Sequence, residues 1–156
     1  MGCDIHIVVE RKWEGRWVGL RTDQGFVRGG YGGEETDWVY PDVGQRDYAF
    51  FARLAGVRGG DGPEPLGIPG DASDLSLMRL SDWEGDGHSF SYLPIKEFAE
   101  RWCAKDKAFI TTMAAERLEG KNRAYARLLD RASMGTFDLY DDMNVEDFRV
   151  VFWFDN

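Results

Sequence analysis

The chain has 156 residues and a mass of 17.8 kDa, with 43% apolar and 14% aromatic residues, enough to enclose one hydrophobic core and far from the composition of a disordered chain. Its net charge of -9 and pI near 4.7 disfavour direct binding to duplex DNA or anionic lipid, and point to a basic protein groove, a nucleic-acid mimic or a divalent cation as alternatives. There is no secretory signal pattern, no apolar run of the roughly 18 residues a spanning helix needs, and no cysteine framework, so the expectation is a cytoplasmic single domain spanning residues 1–156 without membrane attachment.

In chain order, Cys3, Ile5, Ile7 and Val9 alternate with Asp4, His6, Val8 and Glu10, which predicts a strand with Asp4 and His6 on the face away from the apolar set. Glu14-Gly15 reads as a tight turn into a second short strand. RDYAFFARLA predicts a helix stopped by Gly56, DLSLMRLSDWE a second with an Asp71/Asp74 capping box, and PIKEFAERWCAK a third that begins at Pro94. A longer helix is expected from about Thr111 to Arg131, with Gly120 as a kink or break. Phe148, Val150, Phe152 and Phe154 alternate again and predict a terminal strand whose Asp155 faces away from the phenylalanines. Strands at both ends with helices between them give an α+β domain: a small sheet that includes the N- and C-terminal strands, packed with about four helices.

The chain has two histidines, His6 and His88, and each has an aspartate two residues before it, Asp4 and Asp86. If the terminal strands pair, Asp155 approaches Asp4 and His6. The loop EGDGHS, with Gly85 and Gly87 around Asp86, is then expected to fold over the same face and bring His88 opposite His6. Three uses fit this set. Asp4, His6, Asp86, His88 and Asp155 supply the nitrogen and oxygen donors that Zn, Mn or Fe accepts. His6 or His88 could serve as a metal-free general base oriented by its aspartate. The third use is structural, two imidazoles anchored by nearby carboxylates.

Other stretches are less specific. RGGYGG lacks the helix start and Lys-Ser/Thr of a phosphate loop, and DLYDDMNVED lacks the ligand spacing of a calcium loop. Cys103 reads as a small core residue, and the six tryptophans as mostly core or half-buried.

Four blocks, MGCDIH, RDYAFFARLAGVRG, GDGHSFSYL and FRVVFWFDN, resemble a family of small proteins from bacteriophages and prophages. The resemblance implies a phage origin and no established activity. Two functional classes follow as expectations. One is a phage accessory hydrolase, acting in the host cytoplasm on a phosphate ester or related bond of a small phosphorylated ligand, with His6 and His88 as its catalytic residues and a divalent ion as cofactor. The other is a non-enzymatic acidic inhibitor, of anti-defence or nucleic-acid-mimic type, seated in a basic host protein.

Overall fold

A computed structural model describes residues 2–20, 46–59, 61–102 and 145–156. Within them the elements run β1 (Ile5–Trp13), β2 (Arg16–Gly19), α1 (Tyr48–Ala55), α2 (Asp74–Ser81), β3 (His88–Pro94), α3 (Ile95–Trp102), a 3₁₀ turn (Val145–Asp147) and β4 (Phe148–Phe154). The fold is α+β. Three α-helices lie among the described residues, while the helix expected near Thr111 to Arg131, Cys103, RGGYGG and most of DLYDDMNVED lie outside them. No helix among the described residues is long and apolar enough to cross a membrane.

The four strands form one antiparallel sheet in the order β2-β1-β4-β3, so the first and last strands are its two central members. β1 and β2 are joined by Glu14-Gly15, whose φ values of 49° and 78° are those of a two-residue hairpin turn. β1 and β4 pair from Ile5↔Phe154 to Arg11↔Phe148. β4 is buried along its whole length, because both faces of the sheet are covered. On one face Ile5, Ile7, Val9, Val150, Phe152, Phe154 and Leu93 pack with Phe50, Phe51 and Leu54 of α1 and Ile95 and Phe98 of α3. On the other, Val8 and Trp153 meet Leu75 and Leu80 of α2, with Trp83 and Phe90 against them.

α1 opens on Asp47, whose carboxylate accepts from the Phe50 N–H at 3.0 Å, and ends at Gly56 in the left-handed region that glycine enters without strain. α3 is tied to it by Arg101, which donates to the carbonyl of Leu54 at 3.0 Å and to Glu97 at 2.6 Å. The cap of α2 differs from expectation. Ser73, rather than an Asp71/Asp74 box, accepts from the Ser76 N–H at 3.1 Å, because Asp71 is drawn off to Arg149 at 2.8 Å. The third helix starts one residue late, at Ile95, since Pro94 is still paired with Arg149 at the end of β3.

Arg149 belongs to a buried network. Glu10 is fully buried; one of its oxygens faces the Arg149 guanidinium, and the other accepts from the Ser73 N–H and the Ser76 hydroxyl, both at 2.7 Å. The guanidinium also stacks 4.1 Å from the Trp17 ring centroid. These bonds join β1, β4, β2 and the start of α2 around one charge pair that each partner needs, since an unpaired buried charge is costly. Arg149→Met is expected to lose about 3–5 kcal/mol in urea unfolding by leaving the Glu10 charge unpaired, and Glu10→Gln in the same chain is expected to restore part of that loss. Equal loss in the single and double variants would show that packing of Arg149, not its charge, matters.

Candidate functional site

The β1–β4 ladder places the first group. Asp4 and Asp155 continue the pairing beyond the strand ends: the Asp155 N–H donates to the Asp4 carbonyl at 3.2 Å, and the Asp4 N–H to Asp155 Oδ1 at 3.0 Å. The other carboxylate oxygen, Oδ2, lies 3.0 Å from His6 Nε2 in a part-buried pair, 16% and 17% exposed. Asp4, His6 and Asp155 are therefore brought together as strand parity leads one to expect. The Asp4 carboxylate itself is taken by Arg46, which forks onto it with Nε at 2.9 Å and Nη2 at 3.1 Å. The Arg46 hydrogen bond, helped by the Arg46 charge, holds Asp4 below the ordinary carboxylate range and outweighs the opposing effect of desolvation. Arg46 lies so close to Gly2 that a Cβ there would strike the guanidinium.

The second group is the aromatic cover of His6. The Trp83 ring lies 3.9 Å from the imidazole centroid and the Trp153 ring 5.6 Å. Trp83 begins a turn in which its carbonyl accepts from the N–H groups of Asp86 at 3.2 Å and Gly87 at 2.9 Å. A Cβ on Gly87 would meet Phe90 at 2.9 Å and Trp153 at 3.3 Å, so this glycine lets the loop settle on an aromatic surface. The loop thus delivers Trp83 to His6. Asp86 points elsewhere: it is exposed at the loop's tip, with no side-chain hydrogen bond or ion pair among the described residues.

His88 is not opposite His6. It pairs with Phe154, while Ser91 pairs with Phe152, so three steps along β3 match two along β4 and one extra residue forms a bulge. Without the bulge, His88 would share the face of Trp153 and His6; the extra residue reverses its side and sets its ring against Phe154, with centroids 6.2 Å apart. The two histidines lie on opposite faces of the sheet, and the single site shared between them does not form. Nor do Asp4, His6, Asp86, His88 and Asp155 form one metal-binding group: among the described residues no three His, Cys, Asp or Glu side chains converge in that way.

On its own face, His88 lines a cleft of about 580 Å³ with Ser89, Arg58, Glu64, Asn156 and the chain around Gly56 and Gly62. Ser89 at φ 53°, Arg58 at φ 58° and Arg46 at φ 43° are all in the left-handed region, at about 1–3 kcal/mol each for a residue other than glycine. The remaining such residue, Glu14, is explained by its hairpin. Behind Arg58 lies the Cys3 thiol, whose pKa is pushed up by burial, with the Arg58 charge opposing.

The blocks MGCDIH, RDYAFFARLAGVRG, GDGHSFSYL and FRVVFWFDN thus contribute Asp4 and His6, Arg46 and Arg58, His88 and Ser89, and Asp155 and Asn156 to one end of the sheet. Sequence reasoning missed Arg46, Arg58 and Trp83. The only signal for them was that Arg46 and Arg58 stand inside one of the blocks singled out and Trp83 two residues before another. In comparisons with known protein families, curated proteins and solved structures, the chain matches none.

The Arg46–Asp4 pair makes stability depend on acid in a defined direction. Because the folded-state pKa of Asp4 is depressed, its contribution is present above the unfolded value of about 3.9 and is lost as pH falls through the folded value. Both side chains are about half exposed, so solvent screening keeps the contribution small. Arg46→Gln is expected to bring the Asp4 carboxyl titration, followed by carbon NMR, back up toward the ordinary range. An unchanged titration would remove Arg46 as the cause.

Proposed function

We propose that the chain is a small hydrolase acting on a phosphate ester or related bond, with His6 as general base and Asp155 as the carboxylate that orients it. The observation that carries this reading is the 3.0 Å approach of Asp155 Oδ2 to His6 Nε2. A carboxylate on Nε2 favours the tautomer with its proton there and leaves the Nδ1 lone pair to take a proton from an attacking water; the carboxylate then stabilises the imidazolium that results. Nδ1 carries no hydrogen bond among the described residues. Trp83 covers one face of the ring, which limits solvent approach to its edge.

A divalent ion, Zn, Mn or Fe, remains a proposal of narrower scope. Its donors would be His6 and Asp155, because Arg46 occupies Asp4, and His88 and Asp86 lie elsewhere. The setting we infer, a phage accessory protein in a host cytoplasm, rests on the resemblance of the four blocks. The acidic-inhibitor reading is favoured by the exposed Asp74, Glu84 and Asp86 around α2, and it requires a salt-sensitive complex with a basic protein that His6→Gln leaves intact.

Turnover of p-nitrophenyl phosphate and its bis-ester, in chelator and with each added ion, separates these readings. The expected result is hydrolysis in chelator that falls about 10²-fold or more in both His6→Gln and Asp155→Asn. Hydrolysis that needs an added ion and is lost in His6→Gln would assign the pair to metal binding. No hydrolysis under any condition, or hydrolysis that survives both substitutions, would end the enzyme reading.

A further inference from the structure

The cleft on the opposite face holds a second, separate constellation. Its walls come from the end of α1 and the chain that follows it (Ala55 to Arg58), the loop Gly62–Pro65, the start of β3 and Asn156 after β4. At about 580 Å³ it is in the range of small-molecule sites. His88 is held in a defined orientation there: Nδ1 lies 3.0 Å from the Ser89 hydroxyl, and the ring stacks near Phe154. Its other nitrogen, Nε2, is buried and has no hydrogen-bond partner among the described residues. A buried polar atom without a partner asks for an explanation, and a ligand seated against His88 is one.

Two further facts indicate what that partner is. Ser89 and Arg58 both line the cleft, and both stand in a backbone conformation that residues other than glycine rarely adopt. Such conformations persist where the surrounding fold enforces them, and they gather at ligand sites. In Ser89 the conformation belongs to the bulge that turns His88 into the cleft's wall; in Arg58 it brings a permanent cation to the same cleft. Glu64 is the one carboxylate side chain on the lining, and it is exposed at the loop.

We propose that this cleft binds a small organic oxyanion, a phosphate or carboxylate group on a compact body, with His88 Nε2–H and the Arg58 guanidinium as its donors. With the Ser89 hydroxyl as the donor to Nδ1, the imidazole proton stays on Nε2. The planar guanidinium and the imidazole N–H provide charge-assisted bonds to the anion, and the remaining volume accommodates the body that carries it. This site is independent of the His6–Asp155 reading, since the two constellations lie on opposite faces of the sheet.

The test follows the two imidazoles of the full chain by long-range nitrogen-proton NMR during titration with phenyl phosphate, benzoate and, as an uncharged control, benzyl alcohol. His88→Gln assigns the signals. Saturable movement of the His88 signals with an anion, but not with the alcohol, is expected, and the His6 signals should stay in place. Saturation by phenyl phosphate alone identifies a phosphorylated ligand, and saturation by benzoate as well identifies the wider oxyanion class. Arg58→Gln is expected to weaken binding by about tenfold or more, and Glu64→Gln to tighten it by roughly twofold or more through loss of repulsion. His88 signals that no anion moves, or that the alcohol moves equally, overturn the proposal. If Arg58→Gln does not fold, Glu64→Gln decides: affinity unchanged or weakened also overturns it.

Discussion

The antiparallel ladder between β1 and β4 is the constraint on which the other features of the molecule depend. It sets Glu10 opposite Arg149, so that the buried charge pair can close and recruit Ser73, Ser76 and Asp71 to the start of α2. It sets Ile5, Ile7 and Val9 beside Phe152, Phe154 and Val150 as a continuous platform for α1 and α3. At its far end it brings Asp155 to Asp4 and His6, a junction between residues about 150 positions apart in sequence. Closing so long a loop costs conformational entropy, and the burial of both faces of β4 is what offsets it.

The polar end of the sheet carries two different arrangements. On the α2 face the imidazole of His6 is bonded to a carboxylate and covered by indole rings, which is an arrangement suited to holding or moving a proton. On the α1/α3 face the imidazole of His88 lies against the Ser89 hydroxyl and keeps one nitrogen without a partner among the described residues, on a cleft that Arg58 also lines, which is the arrangement proposed to recognise an anion. The two Asp-x-His pairs look alike in sequence, but the residue that matters to each histidine is another one: Asp155 for His6 and Ser89 for His88. Asp4 is neutralised by Arg46, and Asp86 faces solvent.

Much of the fold was legible because period-two alternation is a local property. It identified β1 and β4, put Asp4, His6 and Asp155 on a common face, and with Gly15 and Gly56 marked the hairpin and the end of α1. His88 was not legible, because its face depends on counting residues back from Ser91 through a bulge that no local pattern around Ser89 and Phe90 announces. The cap of α2 was misread for a related reason: Asp71 has the right chemistry for a cap, but a buried arginine from β4 competes for it more strongly. Arg46 and Arg58 act through long-range contacts with Asp4 and Cys3, and such contacts leave no mark on the sequence around either partner.

Whether the molecule has two separate imidazole sites, one of them built on Asp155, can be read most directly from the ring nitrogens of its two histidines. With Asp155 replaced by asparagine, long-range nitrogen-proton NMR should show the His6 ring nitrogens displaced and the His88 nitrogens unmoved, because the sheet stands between them. Displacement of both rings together would mean that the histidines share one site after all, and an unmoved His6 would mean that Asp155 does not hold it.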